Sequence, residues 1–297
     1  MTTPENSISA LEVAESPDVC VTDNASVKRA VKATMLGNAM EWFDFGVYAY
    51  LATTIGKVFF PDASGSAQLL STFAIFAAAF IVRPLGGLFF GPLGDRIGRK
   101  KVLATTIILM AGSTFAIGLI PSYESIGIAA PILLVLLRLL QGFSTGGEYG
   151  GASTFVAEYA PDKRRGFFAS FLEFGTLAGY VAAAGIVTII QTVVSAEDLL
   201  QWGWRIPFLI AGPLGLIGLY LRLRLEETPA FQMMEQAEER SLADESTGKK
   251  LRETLVDNWR PLVLCIVLVA TYNIAHYGLL SYMPTYLTNT LGYDESH

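Results

Sequence analysis

Between residues 37 and 48 the chain reads GNAMEWFDFGVY, and on a helix Asn38, Glu41, Asp44 or Phe45, and Tyr48 recur at steps of three and four residues. Such steps bring side chains onto one helix face, here a polar and aromatic one. A second stripe, Arg138, Gln141, Thr145 and Glu148, recurs at steps of three, four and three. Both stripes lie inside long apolar stretches, where a charged side chain costs about 3 kcal/mol even on lenient insertion scales. They should therefore face one another or a water-filled cavity. An acid withdrawn from water holds its proton, and a nearby arginine loosens it, so an acid beside a mobile basic partner can exchange a proton as its exposure changes. Asp44 and Glu41 are the candidate proton-responsive acids, with Arg138 as their counter-charge. For Glu41, a static salt bridge joining two helices is an equally open reading.

Glu173, in the segment FLEFG, lies about two turns into another apolar stretch with no sequence-local partner, which makes it a candidate substrate contact. Glu148 is a similar candidate, while the preceding Gly146 and Gly147 suit close helix packing. Aromatic residues crowd the first stripe, and ring faces together with acids can hold a cation, a quaternary ammonium in particular. Trp42, Phe45 and Tyr48 are carried forward for that role, alongside Asn38 and Gln141. Trp202 and Trp204 are most simply interfacial anchors.

The elements that must position these residues are membrane helices. The chain has 297 residues, of which 52% are hydrophobic and 16% charged, and a mean hydropathy of +0.44, which is too apolar for one ordinary soluble domain. Spanning the hydrocarbon takes roughly 20 helical residues. Seven stretches qualify, at about 33 to 56, 68 to 90, 102 to 120, 130 to 157, 167 to 193, 204 to 223 and 261 to 287. An all-α integral membrane protein is the expected fold class.

Basic residues sort onto one side of these spans. Lys28, Arg29 and Lys32, the run from Arg96 to Lys101, Lys163 to Arg165, Arg222, Arg224 and the basic residues from Arg240 to Arg260 share a side, while the opposite loops keep only Lys57. The positive-inside rule then puts the N-terminus in the cytoplasm, for a multi-pass protein of the inner or plasma membrane. Residues 1–27 read as a polar cytoplasmic tail with no signal-peptide core. Residues 28–224 form a six-helix bundle, 225–260 a central cytoplasmic linker, and 261–297 a seventh helix with the start of a further bundle. Cys20 and Cys265 have neither disulfide nor metal-ligand spacing, so two free thiols are expected.

Between spans two and three lies GPLGDRIGRKK, a short charged turn at the cytoplasmic side containing Gly91, Asp95, Arg96, Gly98, Arg99 and Lys100. A second charged turn, from Glu158 to Gly166, falls on the same side. Asp95, Arg99, Glu158 and Arg165 can form a charge network that holds the bundle ends together in one state and releases them in another. No metal, cofactor or catalytic constellation is expected. There is no H-E-x-x-H, no second glycine after Gly142-Phe143-Ser144-Thr145 to make a rhomboid-like site, and no phosphate-binding G-x-x-x-x-G-K-[ST]. Nothing points to nucleic acid, and His276 reads as a cavity or packing residue.

The turn G-x-x-x-D-R-x-G-x-K-K resembles the signature joining helices two and three of major facilitator superfamily transporters. NAMEWFDFGVY, RPLGG from Arg83, RLLQGFSTGGEY from Arg138, WGWRIPF from Trp202 and LEETPAF from Leu225 together resemble the metabolite:proton symporter branch of that superfamily. GKVFFP from Gly56 and IGLIPSY from Ile117 make the chain similar to carriers of compatible solutes within it. The resemblance implies a twelve-helix, alternating-access fold, of which this sequence would supply the N-terminal six-helix bundle plus helix 7. It also implies proton-driven import of a small zwitterion such as proline or glycine betaine, whereas the family's activation by high osmolality, tied to a long C-terminal tail that this sequence does not contain, is not carried over. In related sugar porters a helix-1 acid pairs with a helix-4 arginine, a pairing that maps onto Asp44 and Arg138. A substrate-contacting glutamine of helix 5 falls at Glu173, which suits an ammonium-bearing solute better than a sugar. The chain stops at His297 after the seventh span, so a truncated carrier lacking its C-terminal helices is expected. A sister symporter for dicarboxylates, citrate or shikimate, and a non-transporting fragment, are the alternatives.

Overall fold

The computed structural model describes residues 24–224 and 258–292. The tail up to residue 23 and nearly all of the expected linker lie outside the described residues. Every regular element among the described residues is helical: α1 (Asn24–Tyr50), α2 (Ala52–Phe59), α3 (Gly65–Ile97), α4 (Arg99–Leu119), α5 (Tyr123–Ile126), α6 (Ala129–Tyr159), α7 (Arg165–Val193), α8 (Ala196–Asp198), α9 (Arg205–Leu223), α10 (Trp259–Tyr277) and α11 (Met283–Asn289). A wider π-type turn, Gly278–Tyr282, joins α10 to α11, so the seventh crossing is one rod with a local widening. Six crossings are long and apolar enough to span a membrane: α3, α4, α6, α7, α9, and α10 with α11. The remaining long helix, α1, carries its polar stripe and three basic residues near its start, and packing places it as the other crossing of the bundle.

α1 lies along α7 and also touches α6 and α9, α3 lies along α6, and α4 packs on both α6 and α9. The α3–α6 seam is a backbone-to-backbone contact. A Cβ on Gly142 would strike the carbonyl of Ala79, and one on Gly146 would strike the carbonyl of Arg83. Small residues permit such approach in membranes, where packing has to replace the hydrophobic drive between helices. The packing reading of Gly146 thus has a specific partner, and that partner is a charged residue's own backbone.

The polarity of the molecule is inverted relative to a soluble protein. Glu41, Asp44, Arg138, Glu148 and Arg222 are buried, while Leu70, Ile81, Leu88, Phe167, Leu177, Val181 and Ile189 face outward. That is the arrangement a hydrocarbon solvent selects. α10 is exposed along much of its length as well, Leu264, Ile266 and Ile274 included.

Three boundaries and one side chain differ from what was expected. The first helix starts at Asn24 and runs through residues read as tail, because Val27 and Val31 pack on Val156. It also stops at Tyr50, and the rest of the expected first span forms the separate helix α2, whose Ile55 and Phe59 enter the core. The turn between α3 and α4 is narrower than the charged segment suggested. α3 continues through Gly91, Asp95 and Arg96 to Ile97, and the chain reverses at Gly98, whose φ of 98° is a conformation that favours glycine. At 33 residues, α3 extends about 50 Å, well past the roughly 30 Å of hydrocarbon, so its charged last turns stand clear of the apolar zone. Finally, Trp204 is no interfacial anchor. It is fully buried against Phe59 and Phe208, whereas Trp202 is half exposed.

Candidate functional site

Three ion pairs line the interior of the bundle. In the first, Arg138 Nη1 donates to Asp44 Oδ2 at 3.0 Å, and Gln141 Nε2 donates to the same oxygen at 2.9 Å. Gln141 also donates to Thr114 Oγ1 at 2.6 Å, which ties α4 into the pair. The guanidinium of Arg138 lies 3.7 Å from the centre of the Tyr48 ring, whose hydroxyl donates to the carbonyl of Thr72 at 3.1 Å. The two polar stripes therefore meet at Asp44 and Tyr48 of one and Arg138 and Gln141 of the other. The side chains of Asp44 and Arg138 are 3% and 1% exposed, so the pair is sealed.

The second pair departs from the expectation. Glu41 does not face Arg138; its cation is Arg83 of α3, at 3.6 Å. Glu41 and Asp44 are three residues apart on α1 and pair with different helices, Glu41 with Arg83 of α3 and Asp44 with Arg138 of α6. Arg83 is held over the rings of Phe45 and Phe80, at 4.5 and 4.2 Å, and its Nη1 donates to the Tyr277 hydroxyl at 3.3 Å. Phe45 thus serves as a platform for this arginine.

The third pair was not foreseen. Glu148 is buried and engages Arg222 of α9 through both carboxylate oxygens. Thr106 Oγ1 donates to Glu148 Oε2 at 2.5 Å, and Arg222 also donates to the carbonyl of Leu103. Glu148 therefore points away from any substrate path and joins α6, α4 and α9. In the sequence Arg222 reads as one of the cytoplasmic basic residues, and its place one residue inside the end of the span from 204 to 223 is the only local signal of its burial.

A cavity of about 600 Å³ opens between the bundle and the second half of α10. Its wall includes Glu41, Trp42, Arg83, Tyr149, Glu173, Tyr272 and His276. Glu173 accepts from the hydroxyls of Tyr149 at 3.1 Å and Tyr272 at 3.0 Å, and so bridges α6, α7 and α10. Trp42 donates to Asn38 Oδ1 at 3.2 Å, while Asn38 Nδ2 is anchored on the Leu172 carbonyl and Thr176. Asn38 positions the indole and does not line the cavity. The His276 ring lies 5.2 Å from Trp42 and 5.5 Å from Tyr272. Of the expected substrate-contact residues, Trp42 and Glu173 reach this cavity, whereas Asn38, Phe45, Tyr48, Gln141 and Glu148 lie behind its wall. Arg83, Tyr149, Tyr272 and His276 join it instead, brought in by helices whose proximity no local spacing reveals.

At the end of the bundle that carries the basic residues, Arg99 pairs with Glu158 at 3.0 Å and with Asp95 at 3.5 Å. Arg96 and Lys100 flank the Gly98 turn, Gly91 sits two turns back on α3, and Arg165 opens α7. At the opposite end, the Tyr180 hydroxyl bonds Ser281 Oγ at 2.9 Å, and Tyr50 donates to the Leu280 carbonyl at 3.5 Å. These contacts close the seventh crossing onto α1 and α7. Cys265 is exposed on α10, and Cys20 lies outside the described residues.

Residues 30–257 match the family described as Sugar (and other) transporter. The chain belongs to that family. It is 56% identical over 286 residues to the proline/betaine transporter of Salmonella typhimurium, covering 94% of this chain and 57% of that one. It is 54% identical to the glycine betaine/proline/ectoine/pipecolic acid transporter OusA of Dickeya dadantii, covering 94% and 56%. An ectoine/proline transporter of Corynebacterium glutamicum is 48% identical, with 93% and 56% covered. The chain thus spans somewhat over half the length of these curated relatives.

Among solved structures, a D-xylose-proton symporter superposes with a TM-score of 0.69 at 21% identity, covering 91% of this chain and 63% of that one. The major facilitator superfamily proton:xylose symporter XylE bound to 6-bromo-6-deoxy-D-glucose gives a TM-score of 0.65 at 22% identity, covering 72% and 48%. The fold of this family member is that of the major facilitator superfamily, and the protein is a multi-pass membrane protein.

Proposed function

We propose that the protein acts as a proton-coupled symporter of a small zwitterionic compatible solute, in the class of proline and glycine betaine. In this reading the chain supplies the first six-helix bundle, the central linker and helix 7, and further helices complete the carrier. The basic end faces the cytoplasm, as the positive-inside rule requires, so the contacts of Tyr180 and Tyr50 with the seventh crossing form the outer closure. The cavity lies on the inward side of that closure.

One observation carries the reading: the same cavity presents an acid held by two tyrosine hydroxyls beside an indole, and an arginine whose fork is held between aromatic rings. A zwitterion needs both signs of charge, and its ammonium end suits a carboxylate beside ring faces. The names of the relatives support the same class. The sealed Asp44–Arg138 pair serves the proton: protonating Asp44 dissolves the ion pair that ties α1 to α6, which lets those helices move relative to each other. At the cytoplasmic end, the Arg99 contacts to Asp95 and Glu158 hold helix ends together in one state, with Arg165 nearby in the chain's second charged turn.

The test is uptake of labelled glycine betaine and proline into vesicles by a carrier joining this chain to the remaining helices of the Salmonella typhimurium relative. Accumulation should follow an imposed pH gradient and should vanish with Asp44→Asn. Accumulation of ketoglutarate in place of betaine would move the protein to the dicarboxylate class, and no uptake at all would end the transporter reading.

A further inference from the structure

The Glu41–Arg83 pair has a geometry that a purely structural bridge does not need. Its 3.6 Å separation exceeds hydrogen-bond length, and neither oxygen of Glu41 has a hydrogen-bond partner among the described residues. On Arg83, Nε and Nη2 are likewise unpartnered, while Nη1 is committed to Tyr277. Both residues are in the cavity wall, and the arginine side chain as a whole is 20% exposed, while its Nε and Nη2 are buried behind Glu41 and open to the cavity only as that carboxylate moves off. Phe45 and Phe80 hold the guanidinium by its faces, which leaves its edge, the part that binds carboxylates in a fork, without a tight partner. Neither Arg138 nor Arg222 offers this, since each is 1% exposed and already engaged by an acid.

We propose that Arg83 docks the carboxylate of the transported solute, and that Glu41 is the group the solute displaces from it, taking a proton from cavity water as it is released. The proposal rests on the symporter reading and deepens it. The arginine exchanges one carboxylate for another, and Glu41, left without its cation in an apolar wall, becomes a neutral acid. At Glu41 one proton enters with each neutral zwitterion, in addition to the one that Asp44 takes when its own pair opens, so this step by itself carries one positive charge. The other charged groups around Glu41 are already paired or stand apart: Asp44 with Arg138, Glu148 with Arg222, and Glu173 with two tyrosine hydroxyls across the cavity, where His276 of α10 also lies. Glu41 alone loses its cation when solute arrives. Linkage fixes the sign: solute binding favours protonated Glu41, so acidification favours solute binding by the same factor.

The experiment uses the joined carrier described above, in lipid bilayers, titrated with glycine betaine and with choline, which keeps the quaternary ammonium and lacks the carboxylate. Gradient-driven betaine uptake by the unmodified carrier is the control, and its failure removes both readings. With that control met, Arg83→Gln should weaken betaine binding at least about tenfold and change choline binding less than about twofold. Glu41→Gln should bind betaine with a pH dependence one proton smaller than that of the unmodified carrier. An unchanged betaine-to-choline ratio in Arg83→Gln, or an undiminished pH dependence in Glu41→Gln, overturns the proposal and leaves the transporter standing. Arg83→Lys keeps the charge and removes the fork, so it should keep choline binding and recover part of the betaine affinity. If both arginine variants lose choline along with betaine, Arg83 supports the fold and the proposal falls.

Discussion

The Glu148–Arg222 and Glu41–Arg83 pairs contain the same kinds of group and differ in everything around them. The first is bidentate, closed off from the cavity and capped by Thr106 and a backbone carbonyl. The second is long, faces a cavity and leaves most of its hydrogen-bonding capacity unused. A buried ion pair recovers its desolvation cost only when its geometry is good and its remaining lone pairs and protons are satisfied. Glu148–Arg222 comes close to that condition, with Arg222 Nε its one unpartnered polar atom among the described residues, and it fastens three helices. Glu41–Arg83 does not, and an under-satisfied pair is the one that an incoming ligand can reorganise. The Asp44–Arg138 pair lies between them: sealed like the first, yet with Asp44 Oδ1 and two arginine nitrogens unpartnered like the second.

The comparison breaks first at Glu148. Glu148→Ala leaves Arg222 charged and buried, which should cost about 3–5 kcal/mol; thermal unfolding in detergent measures it, and the double variant lacking both charges should be the more stable of the two. A loss below about 1 kcal/mol would place this pair with exposed bridges and erase the contrast. Asp44→Asn should come next in size. It keeps an oxygen for Gln141 but takes the counter-charge from Arg138, so a stability loss of about 2 kcal/mol is expected, together with loss of gradient-driven accumulation.

How far these differences were legible depends on their range. The crossings could be read because each apolar stretch is contiguous, and the meeting of Asp44 with Arg138 because two helical stripes each had to find a polar surface. Partner choice for Glu41 was not legible. It depends on α3 lying against α6 so closely that Gly146 touches the carbonyl of Arg83, a contact between residues far apart in sequence. Arg222 was hidden for a different reason: a basic residue near a helix end satisfies the positive-inside rule whether it faces water or a buried acid. Trp204 misled similarly, since an aromatic near a span end can anchor at the interface or fill the core.

Gly146→Ala tests the part of the contrast that depends on backbone placement. Its Cβ would press on the Arg83 carbonyl and push α3 from α6, costing about 2 kcal/mol as overpacking does. Because the displaced residue is Arg83 and not Arg222, betaine affinity should fall along with stability. Loss of stability with unchanged affinity would show that Arg83 tolerates movement and needs no fixed seat.

The smallest effect should come from Tyr272→Phe. This hydroxyl is one of two donors to Glu173, and Tyr149 on α6 retains the other. Removing it costs about 1 kcal/mol, or roughly fivefold in an equilibrium constant, and the ring remains to face an ammonium group. Betaine and choline should therefore weaken together by a few-fold, since both carry the cation that Glu173 would meet, whereas Arg83→Gln should separate them. That pattern assigns opposite ends of the solute to opposite walls of the cavity. Should Tyr272→Phe weaken betaine and spare choline, the two walls would not divide the charges in this way, and Glu173 would have to act through Arg83 instead of on the ammonium end.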